Sequence, residues 1–142
     1  MKLSMYFDLQ REEEVIVYAH QKSSFTDSIE QLCNGDFQLV GYKEGNAVWL
    51  ELLDIYCFII ENNKIFAVLE NDKFQLKQRL YKIEEILGED FIKINQSCIA
   101  NIKKIKSFNA DISGTLAVTF KNGYKDFVSR RNIKSVKERL GL

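Results

Sequence analysis

The chain has 142 residues, the size of a single domain that buries roughly two-thirds of its unfolded surface. Its 46% apolar and 28% charged residues, with 7 Gly and no Pro, are typical of a globular protein and exclude a disordered or collagen-like chain. The net charge of zero conceals an asymmetry, because residues 1–90 carry a net charge of −8 and residues 91–142 carry +8. This asymmetry indicates either a nucleic-acid or acidic-lipid surface at the basic end, or two halves that pair with each other.

The first 36 residues predict a strand and a short helix. Glu12–Ala19 is a β-branched and aromatic run that favours a strand. Apolar side chains then recur at helical spacing: Phe25, Ile29, Leu32 and Cys33. Ser24 can cap this helix with Asp27 as its capping-box partner, and Asn34-Gly35 can end it. The apolar face of residues 25–33 is either core, which is the commoner case, or a surface for a second copy or another partner.

From residue 37 onward the pattern becomes β. Strands are predicted at 37–42, 48–50, 55–60, 64–70, 73–76, 91–94, 98–100, 115–121 and 124–128. The turns at 44–46, 62–63 and 71–72 contain residues that tolerate positive φ, and Asn122-Gly123 predicts a type I′ hairpin turn.

Two short helices complete the predicted elements. The spacing of apolar residues predicts one over 76–87, which Gly88 ends, and another over 133–140. Ser129 or Asn132 can cap the last helix, and Gly141 can end it. We therefore expect a mainly β (α+β) fold with a few short helices, and not a doubly wound parallel sheet.

Enzymatic chemistry has little support in this sequence. The single histidine, His20, has no acid and serine arrangement beside it, and no phosphate-binding glycine motif occurs. Glu12, Glu13 and Glu14 cannot converge on a metal, because consecutive residues of a strand alternate between its faces. We expect no catalytic residue, no metal, no cofactor and no small-molecule substrate.

The sequence also predicts a cytoplasmic location. The uncharged apolar run Ile55–Ile60 is far shorter than the roughly 20 residues of a membrane span, and the N-terminus lacks the apolar core of a signal peptide. Cys33, Cys57 and Cys98 lie in or beside apolar segments, so we expect reduced, structural thiols.

Two segments of the basic half combine cations with amides and hydroxyls in predicted turns. These are Lys93–Ser97, between two strands, and Ser129–Asn132, before the last helix. Such side chains reach base edges and phosphates from surface turns. Arg130 and Arg131 at a helix N-terminus oppose the helix dipole, which favours an anionic partner, although one of them could instead pair with the acidic half.

The same residues resemble the LytTR DNA-binding domain of bacterial transcription regulators. The resemblance is carried by Phe91–Asn101 (FIKINQSCIAN), Lys104-Ile105, Asn122-Gly123 and Val128–Arg131. It extends back through Gly41-Tyr42, Asp54–Tyr56 and Lys82–Ile86, and covers roughly residues 37–141. It implies an elongated β domain that lays loops into successive major grooves, and a division of the chain into an extension over 1–36 and a DNA-binding domain over 37–142.

Individual roles follow from the resemblance by position. Gln96 stands where the family has a base-contacting residue, Arg131 matches the arginine of the closing motif, and Asn63 or Lys64 lies in another DNA-contacting loop. Family members commonly have His-Arg-Ser where this chain has Asn95-Gln96-Ser97, so its target base is expected to differ, since amides pair with adenine. The full set of expected DNA-binding residues is Asn63, Lys64, Lys93, Asn95, Gln96, Ser97, Lys103, Lys104, Ser129, Arg130, Arg131 and Asn132.

The expected function is that of a sequence-specific DNA-binding transcription regulator. Thirty-six residues cannot hold a receiver domain, and the resemblance is to small LytTR regulators that are often restrained by a membrane protein. A homodimer is a further expectation. The alternative function is a protein-interaction module that uses its acidic and basic halves.

Overall fold

A computed structural model describes residues 2–12, 14–34, 39–110 and 113–142, without the side chains of 31, 32 and 34. The chain divides into two compact units, an N-terminal unit of residues 1–37 and a main unit of residues 38–142. None of the helices in the described ranges is long and apolar enough to cross a membrane.

The N-terminal unit contains helix α1, Ser24–Asn34. The predicted strand is wrong for its described residues, because residues 12 and 14–19 have no strand pairing. The predicted cap is also shifted: the Thr26 amide donates to Ser23 Oγ (3.4 Å) and the Ser23 amide to Thr26 Oγ1 (2.8 Å), so Ser23 replaces Ser24 as the cap. The predicted stop at Gly35 lies outside the described residues.

The main unit contains ten strands and two helices in its described residues. The strands are β1 Leu39–Lys43, β2 Asn46–Leu50, β3 Cys57–Glu61, β4 Lys64–Val68, β5 Lys73–Leu76, β6 Phe91–Asn95, β7 Cys98–Asn101, β8 Ile105–Ala110, β9 Leu116–Phe120 and β10 Lys125–Val128. The helices are α2 Leu80–Ile86 and α3 Arg130–Leu140, and single 3-10 turns occupy Leu52–Asp54 and Ile102–Lys104. The mainly β fold is confirmed.

The strands form two antiparallel sheets. One has seven strands in the order β2-β1-β5-β4-β3-β7-β6, and the other has three in the order β10-β9-β8. The main core contains buried side chains of both sheets and of α3, including Cys57, Ile94, Val118, Phe120 and Val136. This core fixes the ends of the strands from which the polar turns of the basic half project.

Backbone geometry explains two differences from the predicted elements. Strand β8 was not predicted, because its apolar residues do not alternate with polar ones. Its pairing with β9 shifts register between Ile105 and Ser107, so its larger apolar residues are three positions apart. The prediction of a type I′ turn at Asn122-Gly123 is wrong, because only Gly123 has a positive φ (89°). The Gly123 amide donates to the Phe120 carbonyl. This is a longer hairpin loop with the glycine in the left-handed position.

Other predicted local signals are confirmed. The β3–β4 turn has positive φ at both Asn62 (49°) and Asn63 (61°), as a type I′ turn requires. Helix α3 begins after Ser129, which rules out Asn132 as its cap, and ends at Gly141 with a φ of 70°. Ser129 makes no side-chain capping bond.

Candidate nucleic-acid interface

Three connections of the main unit converge at one end of the two sheets. They are the β3–β4 turn (Asn62-Asn63), the β6–β7 turn (Gln96-Ser97) and the β10–α3 junction (Ser129–Arg131), and together we call them the loop cluster. The Ile60 amide donates to the Ser97 carbonyl (2.9 Å), which holds the first two turns together. The Ser129 amide donates to the Ile94 carbonyl (2.8 Å), which brings the start of α3 beside the β6–β7 turn.

An irregularity in β6 makes the second of these contacts possible. The pairing of β6 with β7 changes register between Lys93 and Asn95, so Ile94 stands outside the regular ladder. Its carbonyl is thereby free to accept from Ser129, while its side chain stays fully buried in the core. The bulge therefore joins the two sheets at the loop cluster.

The Asn95 side chain fastens the β6–β7 turn to β10. Its Nδ2 donates to Asp126 Oδ1 (2.9 Å) and to the Phe127 carbonyl (2.7 Å), and its Oδ1 accepts from the Ser97 amide (2.7 Å). Both amide hydrogens are thus used within the protein, which leaves no donor for a base. Asn95 is a positioning residue in this arrangement, unlike the direct DNA contact that the sequence predicted.

The outward side chains of the loop cluster are free for a ligand. Gln96, Arg130 and Arg131 are exposed, and within the described ranges none of them forms a hydrogen bond or an ion pair through its side chain. The alternative in which one arginine pairs with the acidic half is not observed among those residues. Two unpaired guanidinium groups at the N-terminus of an 11-residue helix repel the helix dipole until an anion lies between them.

The remaining polar residues of the cluster flank these three side chains. Asn63 and Lys64 are exposed at the β3–β4 turn, and Ser97 is exposed in the next turn. Ser129 and Asn132 are partly buried at the start of α3. The structure therefore brings together most of the residues predicted from the sequence.

Three predicted cations lie apart from the loop cluster. Lys93 Nζ is 3.5 Å from Glu84 of α2, and Lys103 Nζ is 3.3 Å from Asp90. Lys104 Nζ lies over the Tyr56 ring, 5.1 Å from its centroid. Because β7 starts at the cluster and leads away from it, with a rise of about 10 Å over its four residues, Lys103 and Lys104 belong to the opposite end of the sheets.

Sequence reasoning missed two neighbours of the cluster. Asp126 accepts from Asn95 and lies 3.3 Å from the Tyr124 hydroxyl, and burial followed by the charge of Asp126 raises the pKa of Tyr124. Phe127 is 59% exposed beside the β10–α3 junction. The pairing of Asn95 with Asp126 spans 31 residues and leaves no local signal, whereas the alternation of Lys125–Val128 could have placed Phe127 on the outer face.

Two buried thiols lie behind the β6–β7 turn. Cys57 and Cys98 are fully buried, as predicted, whereas Cys33 is exposed, so the expectation that all three are core thiols is wrong for Cys33. A hydrogen bond with Cys57, together with burial, raises the pKa of Cys98 well above its ordinary value. A thiol held in its protonated form reacts poorly with oxidants.

We expect one reactive thiol in each native chain. An aromatic disulfide reagent should modify Cys33 within minutes and should modify Cys57 and Cys98 only after denaturation. Mild peroxide should leave DNA affinity unchanged. The control is Cys33→Ser, which should show no fast-reacting thiol; a fast thiol in that variant, or a peroxide effect removed by Cys98→Ser, would contradict the structural assignment.

Comparisons with known proteins agree with this geometry. Residues 45–141 match the family model of the LytTr DNA-binding domain. HTH-type transcriptional regulators of Staphylococcus aureus strains MSSA476 and N315 are each 31% identical over 146 aligned residues, covering 100% of this chain and 99% of theirs. The LytTr DNA-binding domain of a putative methyl-accepting/DNA response regulator from Bacillus cereus superposes with a TM-score of 0.69 at 20% identity, over 74% of this chain and 97% of that one.

The helix-turn-helix label of these relatives does not describe the fold of this chain. In the part of the chain that the structure describes, strands separate each helix from the next, so no two consecutive helices are joined by a short turn.

Proposed function

The chain belongs to the LytTR family of DNA-binding domains, and we propose that it regulates transcription by reading duplex DNA with its loop cluster. The family is one of DNA-binding regulators and not an enzyme class. The sequence-specific, major-groove part of this proposal rests on the geometry of the cluster.

One observation carries the proposal: exposed side chains with unused hydrogen-bonding groups stand together on a rigid base. The base consists of main-chain bonds from Ile60 to Ser97 and from Ser129 to Ile94. The side chains that project from it are Gln96, Arg130 and Arg131. We assign these side chains to the major groove, in which each base pair presents a distinct pattern of donors and acceptors.

The chemistry of the side chains divides the work between them. The Gln96 side-chain amide can donate to N7 of adenine, and its oxygen can accept from the N6 amino group. Arg131 offers a planar fork of donors that matches O6 and N7 of guanine. Arg130 and Lys64 supply cations to the loop cluster, the α3 N-terminus supplies backbone donors, and we assign them to phosphates.

The proposed surface is smaller than the one predicted from sequence. It excludes Lys93, Lys103 and Lys104, which lie elsewhere and contact Glu84, Asp90 and the Tyr56 ring. It includes Asn95 and Asp126 as positioning residues. Phe127 joins it as an apolar contact for a sugar or a thymine methyl group.

The salt dependence of DNA binding tests this function. Because Lys64 and Arg130 are the two cationic side chains assigned to phosphates, log K should fall with log salt at a slope of about −2 for each bound chain. Arg130→Ala should make the slope shallower by about one and should weaken specific and scrambled duplexes alike. A slope near zero would contradict DNA as the ligand and support the protein-interaction module, the alternative function.

Three further expectations concern location and protein partners. A cytoplasmic location follows from a chromosomal target. A membrane protein that restrains the regulator is implied by the family resemblance, and co-precipitation from membranes would test it. A homodimer is supported by the exposed apolar side chains of the N-terminal unit.

A further inference from the structure

We propose that the N-terminal unit is a dimerisation module, in which two copies of this chain cover each other's apolar arms. The inference is independent of DNA binding, since it concerns residues 1–37, all of which precede the residues that match the family model. The relatives from Staphylococcus aureus align over the whole chain, so their sequences also contain a counterpart of this N-terminal unit.

The N-terminal unit consists of two segments without regular secondary structure, which we call the arms, a turn between them and helix α1. The turn is closed by the Arg11 amide donating to the Asp8 carbonyl (3.3 Å) and the Gln10 amide donating to Asp8 Oδ1 (3.0 Å). The first arm alternates apolar residues in strand fashion: Leu3, Met5, Phe7 and Leu9. The second arm is Val15–Tyr18, whose β-branched and aromatic residues also favour a strand.

These arms are apolar but have no cover. Ten of the 16 large apolar side chains exposed in the described residues belong to this unit: Leu3, Met5, Tyr6, Phe7, Leu9, Val15, Ile16, Val17, Tyr18 and Phe25. Tyr18 is 94% exposed, and Phe25 on the apolar face of α1 is 46% exposed. The reading of that face as core is therefore wrong for Phe25.

The exposed area is of the size of an interface. Ten such side chains present on the order of 1,000 Å² in total. A stable interface of ordinary size buries about 800 Å² on each partner. The area that the N-terminal unit leaves exposed is thus the area that a dimer requires.

The backbone of the second arm also lacks partners. Within the described residues, the amides and carbonyls of 14–19 form no main-chain hydrogen bonds. An unpaired strand-forming segment pairs readily with another copy of itself.

Sedimentation of the full chain without DNA tests this proposal. At micromolar concentration we expect twice the 16.6 kDa mass of the chain. The double variant Ile16→Lys/Tyr18→Lys should raise the dimer dissociation constant by about 100-fold or more, since each dimer loses four buried apolar side chains. The matched control is Leu53→Lys/Tyr81→Lys, which places the same charges on exposed apolar positions of the main unit and should stay dimeric.

Amide hydrogen exchange locates the contact. Amides of residues 15–18 should be protected in the dimer and should exchange rapidly in the Ile16/Tyr18 variant. The main unit of this variant should remain folded, with the Trp49 fluorescence and melting temperature of the unsubstituted chain. A monomeric chain at 100 µM, a dimer that survives the double variant, or protection of 15–18 in a monomer would each overturn the proposal. The last result would mean that the arms pair within their own chain. None of these results bears on DNA binding by the loop cluster.

Discussion

Replacing Arg131 with alanine is expected to lower affinity for the preferred duplex by about 10- to 100-fold, and affinity for a scrambled duplex much less. The reason is that a bidentate contact with guanine contributes roughly 1–3 kcal/mol of discrimination, and Arg131 has no other partner in the described residues. Gln96→Ala should behave in the same way at a different base pair. Titration of both duplexes at two salt concentrations measures these effects.

The control for Arg131 is Lys103→Ala. Lys103 is exposed and lies at the opposite end of the sheets, so this variant removes one positive charge from the same chain away from the loop cluster. It should change neither affinity by more than about twofold. If Arg131→Ala weakens both duplexes alike, the residue contacts phosphate, and the reading of guanine must be assigned to another side chain.

Replacing Asn95 with alanine is expected to affect both stability and DNA binding. The variant leaves the Ser97 amide and the Phe127 carbonyl without the Asn95 side chain and removes one of the hydrogen bonds to Asp126, which should lower the free energy of unfolding by about 1–3 kcal/mol. That corresponds to a fall in melting temperature of roughly 5–15 °C for a unit of this size. Because the β6–β7 turn then loses its tie to β10, affinity for the specific duplex should fall at least about tenfold at temperatures where the variant is folded.

Asn101→Ala separates positioning from general stability. Asn101 is a buried asparagine at the other end of β7, where its Nδ2 donates to the Ile55 carbonyl (2.8 Å) and its Oδ1 accepts from the Lys103 amide (3.1 Å). Its loss should lower the melting temperature by a similar amount and leave the DNA affinity of the folded chain unchanged. Equal losses of affinity in both variants would show that Asn95 acts only through stability.

The fold of the main unit could be predicted from sequence where local rules decide it. Asn62-Asn63 and Gly141 adopt the left-handed conformations that their residue types favour, and β5 begins and ends where its pattern does. The rules failed where a distant partner decides. The register shift of β8 depends on its pairing with β9, and the arm at 14–19 has strand character but no pairing in its own chain.

The candidate site was predictable by composition but not by arrangement. Exposed Gln96 stands in a turn, as predicted, whereas exposed Arg131 lies in the first turn of α3 and not in a turn before it. Asn95 looked the same in sequence, and only its bond to Asp126 shows that its side chain is already used. Lys103 and Lys104 counted toward the basic charge, yet strand direction places them away from the cluster.

Main-chain hydrogen bonds, which hold the loop cluster together, allow such regulators to diverge in sequence while they keep their fold. Backbone groups of Ile60, Ile94, Ser97 and Ser129 hold the turns in place, and such bonds form with almost any side chain at those positions. Residues 96 and 131 can therefore change at little cost to folding, whereas residue 63 must tolerate a φ of 61°. New operator sequences become reachable through single substitutions, while the scaffold beneath them stays constant, so a duplicated gene can acquire its own target without first acquiring a new fold.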